Sequence, residues 1–134
     1  MAALTHESAP IRSEEDVVRV RQLVRQATQD LKFSLVDQTK IVTAASELAR
    51  NTLVHGGGGV LRLERLSNGG QQGLRLAFED QGPGIVDLRL ALTDGYTTGT
   101  GLGLGLSGSK RLMSDFTIET VVGQGTRITV TRWK

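Results

Sequence analysis

Apolar residues recur at three- and four-residue steps through the first third of the chain and alternate with polar ones through much of the rest. Val17, Val20, Val24, Ala27 and Leu31 fall on one face of a helix predicted over about 14–31. Ser13, with Asp16 three residues on, is a variant of the capping box, and Glu14 and Glu15 suit the positive helix end. Ser34 and Asp37 repeat the pattern before a second helix, predicted over about 35–55, with Ile41, Ala44, Ala45 and Leu48 as its buried stripe. Gly56 is expected to end it in a left-handed conformation. Val60, Leu61 and Leu63 begin a strand, Asn68-Gly69-Gly70 reads as a turn, and Leu74, Leu76 and Phe78 alternate on the returning strand. Residues 88–92 suggest a short helical turn, 93–101 a mobile loop, and 103–114 a third helix. Phe116 to Val122 and Thr126 to Trp133 form a closing hairpin around Gly123-Gln124-Gly125. Residues 1–10 read as a flexible tail, ending in a short edge strand near Ile11, so one domain is expected over 11–134. This order implies an α+β two-layer sandwich, a mixed and mostly antiparallel sheet with helices on one face.

Composition narrows the chemistry. No cysteine occurs, which excludes disulfides, thiolate metal sites and thiol nucleophiles. His6 and His55 are the only histidines, too few for a histidine-built zinc site. The net charge is only +2, and no basic run with interleaved aromatics suggests a nucleic-acid surface. No apolar run approaches the roughly 20 residues a membrane helix needs, and no basic segment followed by an apolar one opens the chain. A cytoplasmic protein without nucleic-acid or membrane partners is expected. The 17 glycines, however, gather at defined joints, which marks loops of special backbone geometry.

Three motifs carry candidate chemistry. Glu47-Leu-Ala-Arg-Asn51 places a carboxylate and an amide one turn apart on the second helix. Asn51 could ligate magnesium and Glu47 could polarise a hydroxyl; the plainer alternative is a solvated helix face with Glu47 paired to Arg50. Glu79-Asp80-Gln-Gly82-Pro83-Gly84-Ile85 follows a strand directly. Asp80 there could accept from an exocyclic amine such as that of adenine, or merely make a D-x-G turn. Gly99-Thr-Gly101-Leu102-Gly103-Leu104-Gly105-Leu106 alternates just before the third helix. Its leucines can pack inward while bare amides face a ligand, and the helix that follows offers its positive end to phosphate. Gly103, Gly105 and Gly108 also fit G-x-G-x-x-G, but no strand precedes them and too little chain follows for a doubly wound sheet. No P-loop pattern occurs.

Taken in order, ELARN, EDQGPGI and GTGLGLGLSG resemble the N-box and two glycine boxes of the Bergerat ATP-binding superfamily. The likeness covers about residues 12–134, and SELARN, GLSGSKRLMSDF and GQGTRI are most similar to the anti-sigma-factor-type serine kinases, the stressosome switch kinases above all. The resemblance implies ATP and Mg2+ as cofactors, with Asn51 as the magnesium ligand and Glu47 as general base. It implies that Asp80 meets the adenine amine, with Gly82, Gly84 and Ile85 shaping the pocket and Thr126 supporting it. Gly101, Leu102, Gly103, Leu104 and Gly105 would line the phosphates, beneath a lid over 86–100. The run Gly56 to Gly59 is richer in glycine than that subfamily leads one to expect. The implied function is phosphorylation of a STAS-domain antagonist or scaffold protein, with a PP2C-type phosphatase or a sigma factor as a further partner. The alternatives are a nucleotide-regulated module that sequesters a sigma factor, and an ATP domain without transfer activity. A histidine kinase is disfavoured because no dimerising helix with a phosphoacceptor histidine precedes the domain, and a topoisomerase or chaperone would need further domains.

Overall fold

The computed structural model describes residues 2–87, 89, 92 and 105–134, with side chains described from His6 onward. Among the described residues five strands and three helices follow in the order β1 (Ala2–Ile11), α1 (Glu14–Asp30), α2 (Leu35–Val54), β2 (Gly59–Asn68), β3 (Gln71–Asp80), α3 (Gly105–Leu112), β4 (Asp115–Val121) and β5 (Gly125–Trp133). The sheet order is β1-β2-β3-β5-β4 and all four pairings are antiparallel.

The helix starts are set by their caps. Ser13 Oγ accepts from the Asp16 amide at 3.3 Å, and Asp16 returns a carboxylate oxygen to the Arg12 amide at 2.9 Å. Ser34 Oγ accepts from the Asp37 amide at 3.1 Å. Each cap satisfies a donor that the first helical turn leaves unpaired. At the other end of α2 the expectation needs correction. His55 is the cap residue, Gly56 keeps an ordinary φ, and the chain first turns left-handed at Gly57 (φ 74°).

A larger correction concerns the N-terminus. Residues 2–11 are a full edge strand, paired with β2 from Ala2↔Ser67 to Ile11↔Gly59, where a flexible tail was expected over 1–10. Ala9 and Ile11 are buried in it. The expected helical turn over 88–92 falls mostly outside the described residues, and the loop over 93–101 falls wholly outside them.

Helices α1 and α2 cover one face of the sheet. Val17, Val20, Val24 and Ala27 from α1 and Ile41, Ala44, Ala45 and Leu48 from α2 meet Leu61, Leu63, Leu74, Leu76, Phe78 and Val130 from the sheet. Fully burying each large apolar side chain contributes about 1.5–3 kcal/mol. The opposite face is laced with ion pairs, Arg75–Glu64 at 2.9 Å and Arg62–Glu79 at 2.8 Å. Among the described residues no helix is long and apolar enough to cross a membrane.

Candidate functional site

Strand register builds one end of the site. Gly59, Asp80, Thr126 and Thr120 are direct neighbours across β2, β3, β5 and β4. The next inward row is Leu61, Phe78, Ile128 and Ile118. A polar row thus stands at the rim of an apolar floor, and it carries one carboxylate and two hydroxyls. Such an arrangement suits a flat heterocycle that shows polar groups at one edge only.

Asp80 is held by its surroundings. One carboxylate oxygen accepts from the Gly82 amide at 2.9 Å. The other lies against Gly56, so close that a Cβ at Gly56 would come within 2.6 Å of it. Gly82 in turn packs on the Gly56 backbone, where a Cβ would meet main-chain atoms at 2.8 Å. Gly56 itself donates to the Asn51 carbonyl at 3.2 Å. The end of α2 and the loop after β3 therefore meet main chain to main chain at Gly56 and Gly82, with the Asp80 carboxylate beside them, and the glycines allow it. Gly84 has φ 79° and sits against the Val121 carbonyl, while the Gly123 amide donates to the Pro83 carbonyl at 2.7 Å. The Asp80 loop is thereby tied to the β4–β5 turn. Ile85 donates its amide to Thr120 Oγ1 at 2.9 Å, and Thr120 Oγ1 lies 3.0 Å from Thr126 Oγ1. Asp80 and Thr126 share an open depression of about 220 Å³ at this end of the sheet.

The other end is built by α2 and α3. Glu47 and Asn51 are both half-buried, one turn apart on α2. Glu47 Oε1 accepts from the Gly105 amide at 3.1 Å, at the first residue of α3. The plain alternative of a Glu47–Arg50 pair is not what forms, since Arg50 lies 3.9 Å from Glu14. The Gly105 amide has no partner within the first turn of α3, and the Glu47 carboxylate satisfies it. Gly101, Leu102, Gly103 and Leu104 lie outside the described residues. Among those described, no three His, Asp or Glu side chains gather to hold a metal unaided. The half-buried amide of Asn51 could supply one ligand to magnesium, which takes one or two protein ligands and completes its shell with phosphate and water.

Residues 36–134 match the model of the histidine kinase-, DNA gyrase B-, and HSP90-like ATPase family. The chain belongs to that family. A relative, the serine/threonine-protein kinase RsbT of Bacillus subtilis (strain 168), is 46% identical over 123 residues, 92% of each chain. The anti-sigma F factor of Clostridium novyi (strain NT) is 30% identical over 97 residues, 67% of this chain and 66% of that one. Among solved structures, one of the RsbU and RsbW domains of a Mycobacterium tuberculosis protein superposes with a TM-score of 0.67 at 19% identity. That match covers 97% of this chain and 33% of the longer one. At that identity the likeness speaks for the fold. The apolar floor, the polar rim and the start of α3 all lie within the residues that match the ATPase family.

The sequence signals no site role for Thr120, and for Gly56 it signals a different one. Thr120 could have been found, because Phe116, Ile118 and Thr120 share one face of an alternating strand. Gly56 carried a signal that pointed to a helix cap, whereas its role is close approach to Asp80.

Proposed function

We propose that the chain is an ATP-dependent protein-serine/threonine kinase of a bacterial partner-switching pathway, phosphorylating a STAS-domain antagonist. The observation that carries the reading is Glu47 at the start of α3: the candidate base already stands beside the amide that phosphate would use. The 46% identity to a protein named as a serine/threonine kinase supports the same activity.

Asp80 accepts from the adenine amine, above the floor of Leu61, Phe78 and Ile128. The start of α3, with Gly105 and the preceding Gly101, Leu102, Gly103 and Leu104, receives the phosphates. Asn51 offers its amide oxygen to Mg2+, which neutralises phosphate charge when bound. The partner's serine hydroxyl attacks the γ-phosphorus, a new P–O bond forms, and the bond to the β,γ-bridging oxygen breaks to release ADP. Glu47 orients that hydroxyl and takes its proton. Phosphoryl transfer depends mainly on such positioning and charge stabilisation.

Replacement of Glu47 by alanine is expected to leave ATP affinity within a few fold and to lower transfer by about 10²–10⁴. Labelled phosphate transfer from ATP to a STAS-domain partner, with ATP binding measured separately, makes the check. Undiminished transfer would remove Glu47 from the mechanism. The similarity to an anti-sigma factor favours a second reading, a nucleotide-regulated module that sequesters a sigma factor or other regulator. Tight ATP binding by the wild type with no transfer to any STAS-domain partner would select it.

A further inference from the structure

Thr126 and Thr120 each have one hydroxyl proton, and the acceptors around them decide where both go. Thr120 Oγ1 accepts from the Ile85 amide at 2.9 Å and lies 3.0 Å from Thr126 Oγ1 and 3.3 Å from the Gly125 carbonyl. That carbonyl can only accept. If Thr120 donated to Thr126, the Thr126 proton would have no acceptor among the described residues, and the contact to Gly125 would have no proton. If Thr126 donates to Thr120 and Thr120 to the Gly125 carbonyl, both protons are bonded and both lone pairs of Thr120 are filled. Buried hydroxyls settle into the arrangement that satisfies them. Among the described residues the second arrangement alone gives both protons an acceptor.

From this we infer that Thr120 is a positioning residue for base selection: it takes the Thr126 proton and leaves Thr126 an acceptor towards the nucleotide. The inference rests on the adenine role proposed for Asp80 and deepens it. Asp80 and Thr126 are direct cross-strand neighbours on the same row. With the Thr126 proton turned away, that row shows only acceptors to a ligand. An exocyclic amine brings two hydrogens and fits. A guanine carbonyl at the same place brings none, and finds no donor to meet it. Without Thr120, the Thr126 hydroxyl could rotate and donate to that carbonyl, so the row would accept either base. The row's selectivity is thus set by a residue that need not touch the nucleotide.

The test uses the full chain, with ATP and GTP competing separately for a bound fluorescent ATP analogue. Wild type should prefer ATP. Thr120→Val keeps the shape of the side chain and removes its hydroxyl. It should lower the ATP-over-GTP preference about tenfold, the scale of one hydrogen bond gained or lost, chiefly through tighter GTP binding. Thr120→Ser should restore the preference. Adding Thr120→Val to Thr126→Val should change the ratio no further, since no Thr126 proton remains to redirect. Should Thr120→Val fail to fold by thermal unfolding, Thr120→Ala makes the same measurement. Equal weakening of ATP and GTP, with the ratio kept, would mean that Thr120 only braces the Ile85 loop and would overturn the inference. A preference lost in Asp80→Ala but intact in Thr120→Val overturns the inference alone. No ATP preference in the wild type overturns the adenine assignment of Asp80 as well.

Discussion

A methyl group added to Gly56 has nowhere to go. The Asp80 carboxylate occupies its place, with Oδ2 2.6 Å from where the carbon would stand, and the Gly82 backbone closes the same junction. Asp80 cannot yield without losing its bond from the Gly82 amide at 2.9 Å. Gly56→Ala is therefore expected to cost about 1–3 kcal/mol of stability, as overpacking does, and to weaken ATP binding by more than tenfold. Chemical denaturation and calorimetric titration read the two effects separately. Full ATP affinity in a folded variant would show that the Asp80 position is not set by this contact. At this scale the chemistry-bearing side chains were legible, because carboxylates, amides and hydroxyls announce their chemistry by type. Asp80 and Thr126 do come together, and so do Glu47 and Gly105. What stayed hidden was the reason for the glycines. A glycine next to a helix end looks the same in sequence whether it bends the chain or makes room for a neighbour.

The elements were legible wherever their own residues determine them. Helices α1 and α2 begin at serine caps and end within a residue or two of their predicted bounds, since caps and apolar stripes are local signals. Strand β1 was not, because nothing in Ala2–Ile11 alternates strongly and Pro10 argues against a central strand. It is a strand because β2 offers an edge to pair with, with a register shift between Ala3 and Thr5. On the outer face β2 and β3 are joined by Glu64, whose pKa lies below its ordinary 4.5 chiefly through its hydrogen bond with Arg75; the charges of Arg75, His6 and Arg127 add to this and desolvation opposes it. A carboxylate with a depressed folded-state pKa stabilises fully above its unfolded value and loses that contribution as pH falls through the folded one. Both members are more than a fifth exposed, at 28% and 24%, so solvent screens the pair. Glu64→Gln is expected to cost about 0.2–1 kcal/mol at neutral pH. The deficit should close progressively as pH falls below 4.5. Urea unfolding across that range makes the check, and a deficit independent of pH would assign the loss to packing.

At the scale of the whole molecule, two arginines fasten helices to the sheet. Arg65 on β2 reaches Glu7 of β1 at 2.8 Å and Asp30 at the end of α1 at 3.2 Å. Arg132 on β5 reaches Asp37 in the first turn of α2 at 2.9 Å and the Leu112 carbonyl at the end of α3 at 3.1 Å. The second tie holds the far end of α3 while Glu47 holds its start, so α3 is fixed at both ends. The first tie involves β1, which separates the strand seen here from a tail of the same sequence. Deleting residues 2–9 removes the partner of β2, buried Ala9 and the Glu7 contact. An expected loss of about 3 kcal/mol or more corresponds to a fall of roughly 10 °C in midpoint for a domain of this size. A tail would leave the midpoint unchanged within about 1 °C, since removing unpacked chain exposes no core. The row of Asp80, Thr126 and Thr120 lies on β3, β5 and β4, away from that edge. The truncated protein, at a temperature where it is folded, should therefore keep the wild-type ratio of ATP to GTP affinity. Scanning calorimetry and nucleotide competition on the one truncated protein test both halves of the argument. A fallen midpoint with an unchanged ratio places β1 in the scaffold, and a shift in the ratio would make it part of the nucleotide site.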